Sequence, residues 1–456
     1  MKLIGSMTLS LVEKELGGDL RGADVEFSTV STDTRTLQKN DLYLALSGEN
    51  FDGNEFVSEA MEKGACAAIC DQDIDVAAQY SVLKVADCQE AFGLIASLNR
   101  MRSSAKVVAL TGSQGKTSVK EMIGSILEVS ANTLITEANL NNTIGVPLTM
   151  LKISAEHERV VLEMGANSAG EIAFSVGYAK PDIALITNAN AAHIEGFGSL
   201  QGIVEAKGEI IDGLSADGII VLNADDKNCA QWIDRAGDRK TVLFSFENKS
   251  GNADYYASDV EVAESGAVSF NLATPQGRKT INMNLLGEHN VMNAVSAAAV
   301  AMEAGASLSD IETGLAELQA IKGRLSPVEG ISGSRLIDDS YNASPDSFIA
   351  AIKVLRNCKG RTILLAGEMK ELGLESEEAH RFVGRYAAES GIDDLWASGE
   401  SCKAVTDAFG SKARLFQDQS ELIKACKEVA FSDVTFLIKG SRGARMDLIV
   451  NEMRKK

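Results

Sequence analysis

Between Val107 and Lys120 the chain reads VVALTGSQGKTSVK. A β-branched run leads into a glycine-framed turn, then Lys-Thr, then a helical pattern. Few sequences constrain local geometry so tightly. Gly112 and Gly115 permit a sharp turn in which backbone N–H groups converge on an anion. A helix starting near Lys116 points its positive end at the same anion. Lys116 can then bridge terminal phosphates, and the Thr117 hydroxyl can hold Mg²⁺. The flanks agree: Lys106–Leu110 reads as a buried strand, and Val119, Met122, Ile123, Ile126 and Leu127 share one helix face. ATP is the ligand this expects. The loop is a variant, T-G-x-x-G-K-T, because Leu110 stands where the common pattern has its first glycine. The alternative is a glycine-rich strand–helix turn without ligand.

A chain of 456 residues implies roughly three domains at ~150 residues each. The formal net charge of −20 argues against a nucleic-acid partner, whose phosphates need Lys and Arg. No run approaches the ~20 apolar residues of a membrane span, and the N-terminus lacks a signal-peptide pattern. The seven cysteines are scattered, and only Cys66 and Cys70 approach metal-ligand spacing, so reduced core thiols in a cytoplasmic protein are expected.

Short strand patterns occupy the first hundred residues: Asp41–Leu46, Ala65–Cys70 and Ser81–Val85. A basic, polar stretch, Asn99–Lys106, leads into the glycine-rich unit. Strand and helix then alternate through Arg159–Glu163, Asp182–Thr187 and Gly218–Leu222, the pattern of a largely parallel sheet covered on both faces. Helical patterns over Asn290–Ala304 and Ser309–Leu318 end at a hinge-like Lys322-Gly323-Arg324. The alternation restarts with Arg335–Asp338, Arg361–Ala366, Asp394–Ala397 and Val434–Lys439. The expected fold is α/β in three domains: a small N-terminal α/β domain (1–103), a central phosphate-loop domain with a mostly parallel sheet (104–314), and a Rossmann-like α/β C-terminal domain (315–456).

Strand ends supply the candidate chemistry, because ligands collect at the carboxyl ends of parallel strands. Glu163 ends one strand and is placed to hold Mg²⁺; otherwise it is a solvated strand-end acid. His193, one of four histidines, follows the next strand, as a ligand or as a structural imidazole. Asn290 and Asn293 share a helix face and could hydrogen-bond a base, or simply be solvated. Arg324 and the Asp339–Asn342 run are weaker candidates for phosphate contacts from another domain. Lys207 alone reads as an ordinary surface lysine.

These motifs together resemble the Mur ligases, the ATP-dependent amide-forming enzymes of peptidoglycan precursor synthesis. The resemblance rests on STDTR (Ser31–Arg35), TGSQGKT (Thr111–Thr117), NLNNTIGVPLT (Asn139–Thr149), LEMGANSAGEI (Leu162–Ile172), NANAAHIEGFGS (Asn188–Ser199), GEHNVMNA (Gly287–Ala294), KGRLSPVE (Lys322–Glu329), DDSYNASPDS (Asp338–Ser347), AGEMKELG (Ala366–Gly373) and KGSRGARMD (Lys439–Asp447). TGSQGKT alone would also admit folylpolyglutamate synthase or any other Mur enzyme. NLNNTIGVPLT, DDSYNASPDS and AGEMKELG resemble the D-Ala-D-Ala-adding branch. Ala138 departs from the glycine expected before Asn139.

The resemblance implies roles. Gly112, Ser113, Gln114, Gly115, Lys116, Thr117 and Ser118 would hold ATP, with Asn290 and Asn293 at the adenine and Arg324 and Asp339 on the nucleotide from across the hinge. Two Mg²⁺ ions would be held by Thr117, Glu163 and His193. Lys207 matches a lysine that is carbamylated in relatives, and would act with Lys116, Glu163 and His193 in catalysis. Ser31, Thr34 and Arg35 would meet the uridine end of a UDP-N-acetylmuramoyl-tripeptide. Asn139, Asn141, Asn142 and Asn342 would complete the substrate side, and the Asp338–Ser347 loop is where D-Ala-D-Ala is expected. A monomer is implied. A kinase leaving a stable phosphorylated product, and a nucleotide-gated binding protein without turnover, are the readings from other classes.

Overall fold

The computed structural model describes residues 1–456 except 49–50, 191–193, 264–265 and 456. Three large sheets succeed one another along the chain.

The first is six-stranded, in the order Lys2–Thr8, Glu26–Ser31, Leu42–Leu44, Ala67–Cys70, Val82–Lys84, Asp19–Arg21. Its middle pairings are parallel and its two outer pairings antiparallel. The helix Cys88–Met101 then starts on an Asp87 cap that accepts from the Gln89 and Glu90 amides. This helix carries the chain out of the first sheet and packs against the helices Gly145–Met150 and Glu171–Ala179 that flank the central one. Asn99, expected in a polar connector, instead lies in this helix and is fully buried. Its side-chain amide donates to the Met150 and Ile153 carbonyls and its oxygen accepts from the Ile4 amide. A buried amide with three partners is a fastener, not a solvated linker residue.

The central sheet is nine-stranded: Thr133–Ile135, Arg159–Glu163, Lys106–Thr111, Ile183–Ile186, Ile219–Asn223, Lys240–Ser245, Tyr255–Val262, Ala267–Thr274, Gly277–Leu286. The pairings through Tyr255 are parallel; the last two are antiparallel. This antiparallel extension goes beyond the largely parallel alternation read from the sequence. In Ala267–Thr274 buried and half-buried residues alternate, as a sheet with one packed face requires. The helices Lys116–Glu128, His289–Glu303 and Leu308–Glu317 cover one face, and Val119, Met122, Ile123, Ile126 and Leu127 are all buried there. Lys106–Thr111 lies between Arg159–Glu163 and Ile183–Ile186, so the chain reverses its direction across the sheet at this strand. That crevice is where α/β sheets bind ligands.

The C-terminal sheet has six strands: Ser326–Glu329, Arg335–Asp339, Val434–Lys439, Arg361–Ala366, Asp394–Ser398 and Ala413–Phe416. All its pairings are parallel except the first. Helices lie on both faces, over two separate apolar cores.

Candidate active site

The glycine-framed loop adopts the expected geometry. Gly112 has φ +150° and Gly115 φ +79°. A Cβ on Gly112 would stand 2.0 Å from the Thr187 hydroxyl oxygen, and one on Gly115 would stand 2.7 Å from the Asn293 amide oxygen. Both positions therefore require glycine, for close approach and for positive-φ backbone alike. The Ser113 hydroxyl donates to the Asn190 carbonyl (2.9 Å), and the Gln114 amide donates to the Asn188 side-chain oxygen (3.0 Å). The helix Lys116–Glu128 begins directly on Gly115, with no side chain capping its first amides. Those amides are the free donors an anion would take.

Lys116 Nζ folds back to donate to the Gly112 carbonyl (2.7 Å). Burial lowers its ammonium below the usual range; Arg324 adds to this and Glu163 opposes it. Glu163 ends the neighbouring strand, 1% exposed. Its Oε1 accepts from the Asn141 amide (2.8 Å) and, more distantly, from the Thr117 hydroxyl (3.3 Å). Its Oε2 is buried and has no hydrogen-bond partner among the described residues. A buried carboxylate oxygen left unpaired beside a hydroxyl is a poor structural arrangement and a good cation ligand. Thr117 and Glu163 thus fit Mg²⁺. His193 lies outside the described residues, and among the described residues no group of three or more His, Cys, Asp or Glu side chains converges.

Lys207 is not the surface residue its local sequence suggests. It lies in the helix Leu200–Asp212, 3% exposed, with Nζ 5.2 Å from the centre of the Phe197 ring. Burial, helped by the charge of Lys116, pulls its amine down to about 7, against the opposing pull of Glu209 and Glu171. At neutral pH a substantial fraction is free amine, the form that can attack carbon dioxide.

The opposite wall comes from the C-terminal sheet. Arg324 stacks on the Tyr341 ring (4.4 Å) and donates to the Thr117 hydroxyl (2.9 Å). Asp339 accepts from the Leu325 amide and pairs with buried Lys439 (2.5 Å), which also donates to the Asn342 carbonyl. Gln114 reaches the Ser344 hydroxyl across the divide (3.3 Å). The cleft between the two walls has a volume of about 460 Å³. Ser113, Gln114, Gly115, Lys116, Thr117, Ser118, Asn141, Asn142, Glu163, Asn290, Asn293, Arg324, Asp339 and Asn342 all line it.

Asn290 and Asn293 share a face and touch, the Asn293 amide donating to the Asn290 oxygen (3.0 Å). The Asn142 oxygen is taken by the Gly145 amide, capping a short helix. Asn139 is exposed and does not line the cleft. Ser31, Thr34 and Arg35 do not line it: Ser31 ends the first sheet's strand Glu26–Ser31, and Thr34 and Arg35 follow in the next turn, where Arg35 pairs with Asp33 (2.7 Å).

Sequence reasoning passed over His289, Lys370 and Lys439, which also line the cleft, as does Tyr341 of the Asp339–Asn342 run. Lys439 was legible: it ends the strand Val434–Lys439 as Glu163 ends its own. His289 carried no such signal. Burial holds its imidazole down at about 4, with Asp339 opposing, so it is neutral at physiological pH.

Three family models tile the chain: the Mur ligase family catalytic domain over residues 26–100, the Mur ligase middle domain over 110–301, and the Mur ligase glutamate ligase domain over 323–442. The chain belongs to the Mur ligase family. Among Mur ligases, the Escherichia coli UDP-N-acetylmuramoyl-tripeptide–D-alanyl-D-alanine ligase is 42% identical over 452 residues, covering 99% of each chain. The Bacillus subtilis ligase of the same name is 33% identical, covering 93% of this chain and 92% of its own. A crystal structure of MurF from Acinetobacter baumannii superposes with TM-score 0.90 at 35% identity, covering 99% of both chains. MurF from Thermotoga maritima, solved in complex with ADP, superposes with TM-score 0.83 at 26% identity, covering 93% of this chain and 96% of that one. The α/β, multidomain architecture is that of these Mur ligases.

Proposed function

We propose that this Mur ligase uses ATP to join D-alanyl-D-alanine to the terminal carboxylate of UDP-N-acetylmuramoyl-tripeptide through an acyl-phosphate. The observation that carries this is full-length similarity to ligases of that name, together with a cleft that sets a phosphate loop against an unpaired buried carboxylate oxygen.

A carboxylate is a poor acyl donor because oxide is a poor leaving group; phosphorylation makes the leaving group phosphate. Catalysis is then largely positioning and charge. In this reading the loop Gly112–Ser118 grips the phosphates and Lys116 leaves the Gly112 carbonyl for them. Asn290 and Asn293 face the base. Arg324 and Asp339 reach the nucleotide from the C-terminal domain. Thr117 and Glu163, with His193, would hold Mg²⁺, which lessens repulsion between the γ-phosphate and the attacking carboxylate when bound. Lys207, carbamylated, would turn from cation to anion and support that cluster; its burial and lowered basicity favour the modification. Ser31, Thr34 and Arg35 take the uridine end, and Asn139, Asn141, Asn142 and Asn342 the remainder of the substrates.

The division at 103 and 314 gives one domain to the UDP-sugar peptide, one to ATP and a third that closes over both. No helix among the described residues is long and apolar enough to cross a membrane. A monomer working in the cytoplasm, where its nucleotide substrates are made, completes the proposal.

The test is phosphate release from ATP and Mg²⁺ with UDP-N-acetylmuramoyl-tripeptide, with and without D-Ala-D-Ala, and the product mass. Release that requires both substrates, with a gain of one dipeptide less water, is expected. Release that requires glutamate and a folate instead would overturn the reading.

A further inference from the structure

Lys439 is a buried cation to which the proposed reaction gives no task. It ends the strand Val434–Lys439, directly opposite Asp339 in the parallel pairing with Arg335–Asp339, and its side chain is 2% exposed. Its ammonium pairs with Asp339 Oδ2 (2.5 Å), donates to the Asn342 carbonyl (3.0 Å) and lies 5.5 Å from the centre of the Phe348 ring. Drying two charges to make one pair gains little stability, and an apolar pair of similar volume often does as well. A buried pair at the edge of a cleft calls for a use besides holding the sheet.

That use is visible in the other oxygen of Asp339. Oδ1 accepts from the Leu325 amide (3.2 Å). Leu325 directly follows Arg324 and is held at φ +50°, a left-handed conformation that costs a residue with a side chain. On the other side of Arg324, the Gly323 carbonyl accepts from the Tyr341 amide (3.1 Å). Arg324 is thus fastened at both flanks to the run Asp339–Tyr341, and its guanidinium lies on the Tyr341 ring. Held this way it reaches the Thr117 hydroxyl (2.9 Å). Strain of this kind persists only where the surroundings over-determine it. Asp339 supplies that constraint at Leu325, and Lys439 fixes Asp339.

We infer that Lys439 is a positioning residue for nucleotide binding: through Asp339 it locks the strained Gly323–Leu325 turn that aims Arg324 at the phosphate loop. This deepens the proposed reading, in which Arg324 meets the nucleotide. Without the ammonium, Asp339 is left a half-paired buried carboxylate that gains by turning to the water of the cleft. The Leu325 amide then loses its acceptor, the turn relaxes, and Arg324 loses its aim.

The test is a double-mutant cycle on Lys439→Met and Arg324→Ala, reading the KM for ATP and for the UDP-peptide. Hydrogen exchange of the amides in 321–326 is followed in parallel on ligand-free protein. Lys439→Met is expected to raise the KM for ATP about tenfold, the scale of one hydrogen bond to a charged group, with the KM for the UDP-peptide unchanged and exchange in 321–326 faster. In the Arg324→Ala background the same substitution should change the KM for ATP by less than about twofold, because the residue it aims is gone. Lys439→Arg, which keeps a cation on Asp339, should recover most of the affinity and the protection. Lys439→Gln, neutral but still a donor to Asp339, carries the same cycle if the methionine variant does not fold. An unchanged KM for ATP, or unchanged exchange in 321–326, overturns the inference. So does an equal rise in both backgrounds, which would mean that Lys439 meets the nucleotide itself or serves only the fold. If wild type consumes no ATP, it is the ligase reading that fails, and the exchange of 321–326 still decides whether Lys439 holds the turn.

Discussion

Arg324 donates a hydrogen bond to the Thr117 hydroxyl at 2.9 Å, joining the connection ahead of the strand Ser326–Glu329 to the helix Lys116–Glu128 across 207 positions of sequence. The guanidinium thus lies against the residue proposed to hold Mg²⁺, and its stack on Tyr341 keeps it there. A nucleotide entering the loop must meet this charge. Arg324→Ala is expected to raise the KM for ATP by about 10- to 100-fold, the range for losing a hydrogen bond to a charged group. The KM for the UDP-peptide should hold. Initial rates at varied ATP decide it; an unchanged KM for ATP would place Arg324 outside the nucleotide site.

Glu163 separates function from stability. Its Oε2 is buried and unpaired, so neutralising the carboxylate removes an unfavourable burial as well as a cation ligand. Glu163→Gln should cut kcat by about 100-fold or more while leaving ligand-free unfolding in denaturant no easier than in wild type. A large loss of ligand-free stability would mean that the carboxylate serves the fold.

Lys207 makes a pH prediction. Its folded-state pKa of about 7 lies below the 10.5 of an unfolded lysine. Between these values the unfolded chain holds a proton that the folded chain lacks, so stability rises with pH across that window and the group is a full liability below it. The contribution approaches about 1.4 kcal/mol per pH unit. Denaturant unfolding at pH 7.5 and 9.5 in carbon-dioxide-free buffer, on wild type and Lys207→Met, should show the rise only in wild type. Equal slopes would refute the lowered pKa.

Ala138 has φ +48°. The sequence suggested glycine there, and the backbone agrees. Left-handed geometry costs an alanine about 1–2 kcal/mol, while the greater freedom of glycine when unfolded returns about 0.4–1. Ala138→Gly should therefore be neutral or stabilising by up to about 1 kcal/mol, with kcat retained. A clear loss of stability on thermal unfolding would contradict it.

Local signals carried most of the fold. Lys106–Thr111, Lys116–Glu128 and Arg159–Glu163 were readable because glycine spacing and apolar periodicity act over a few residues. The antiparallel strands 255–286 were not, since alternation of moderately apolar residues says little about which sheet they join. In the site, Lys116 and Thr117 followed from the glycine-framed loop and Glu163 from strand-end logic. Lys207 did not: its burial depends on Phe197 and on elements far away in sequence. The brace from Lys439 through Asp339 to Leu325 depends on a strand register that only the folded C-terminal sheet supplies.

The antiparallel strands have a second effect. The last of them, Gly277–Leu286, feeds directly into the helix His289–Glu303, which packs on Lys116–Glu128. Asn293 is consequently wedged against Gly115 within one rigid block. The distance from the Asn290–Asn293 pair to the phosphate loop is a fixed ruler, set before any domain moves. Arg324, from the C-terminal side, meets the phosphate-loop end of that ruler at Thr117, and Asp339 faces its other end at His289, beside Asn290. A ligand can therefore be measured for length by one part of the protein and inspected at both ends by another.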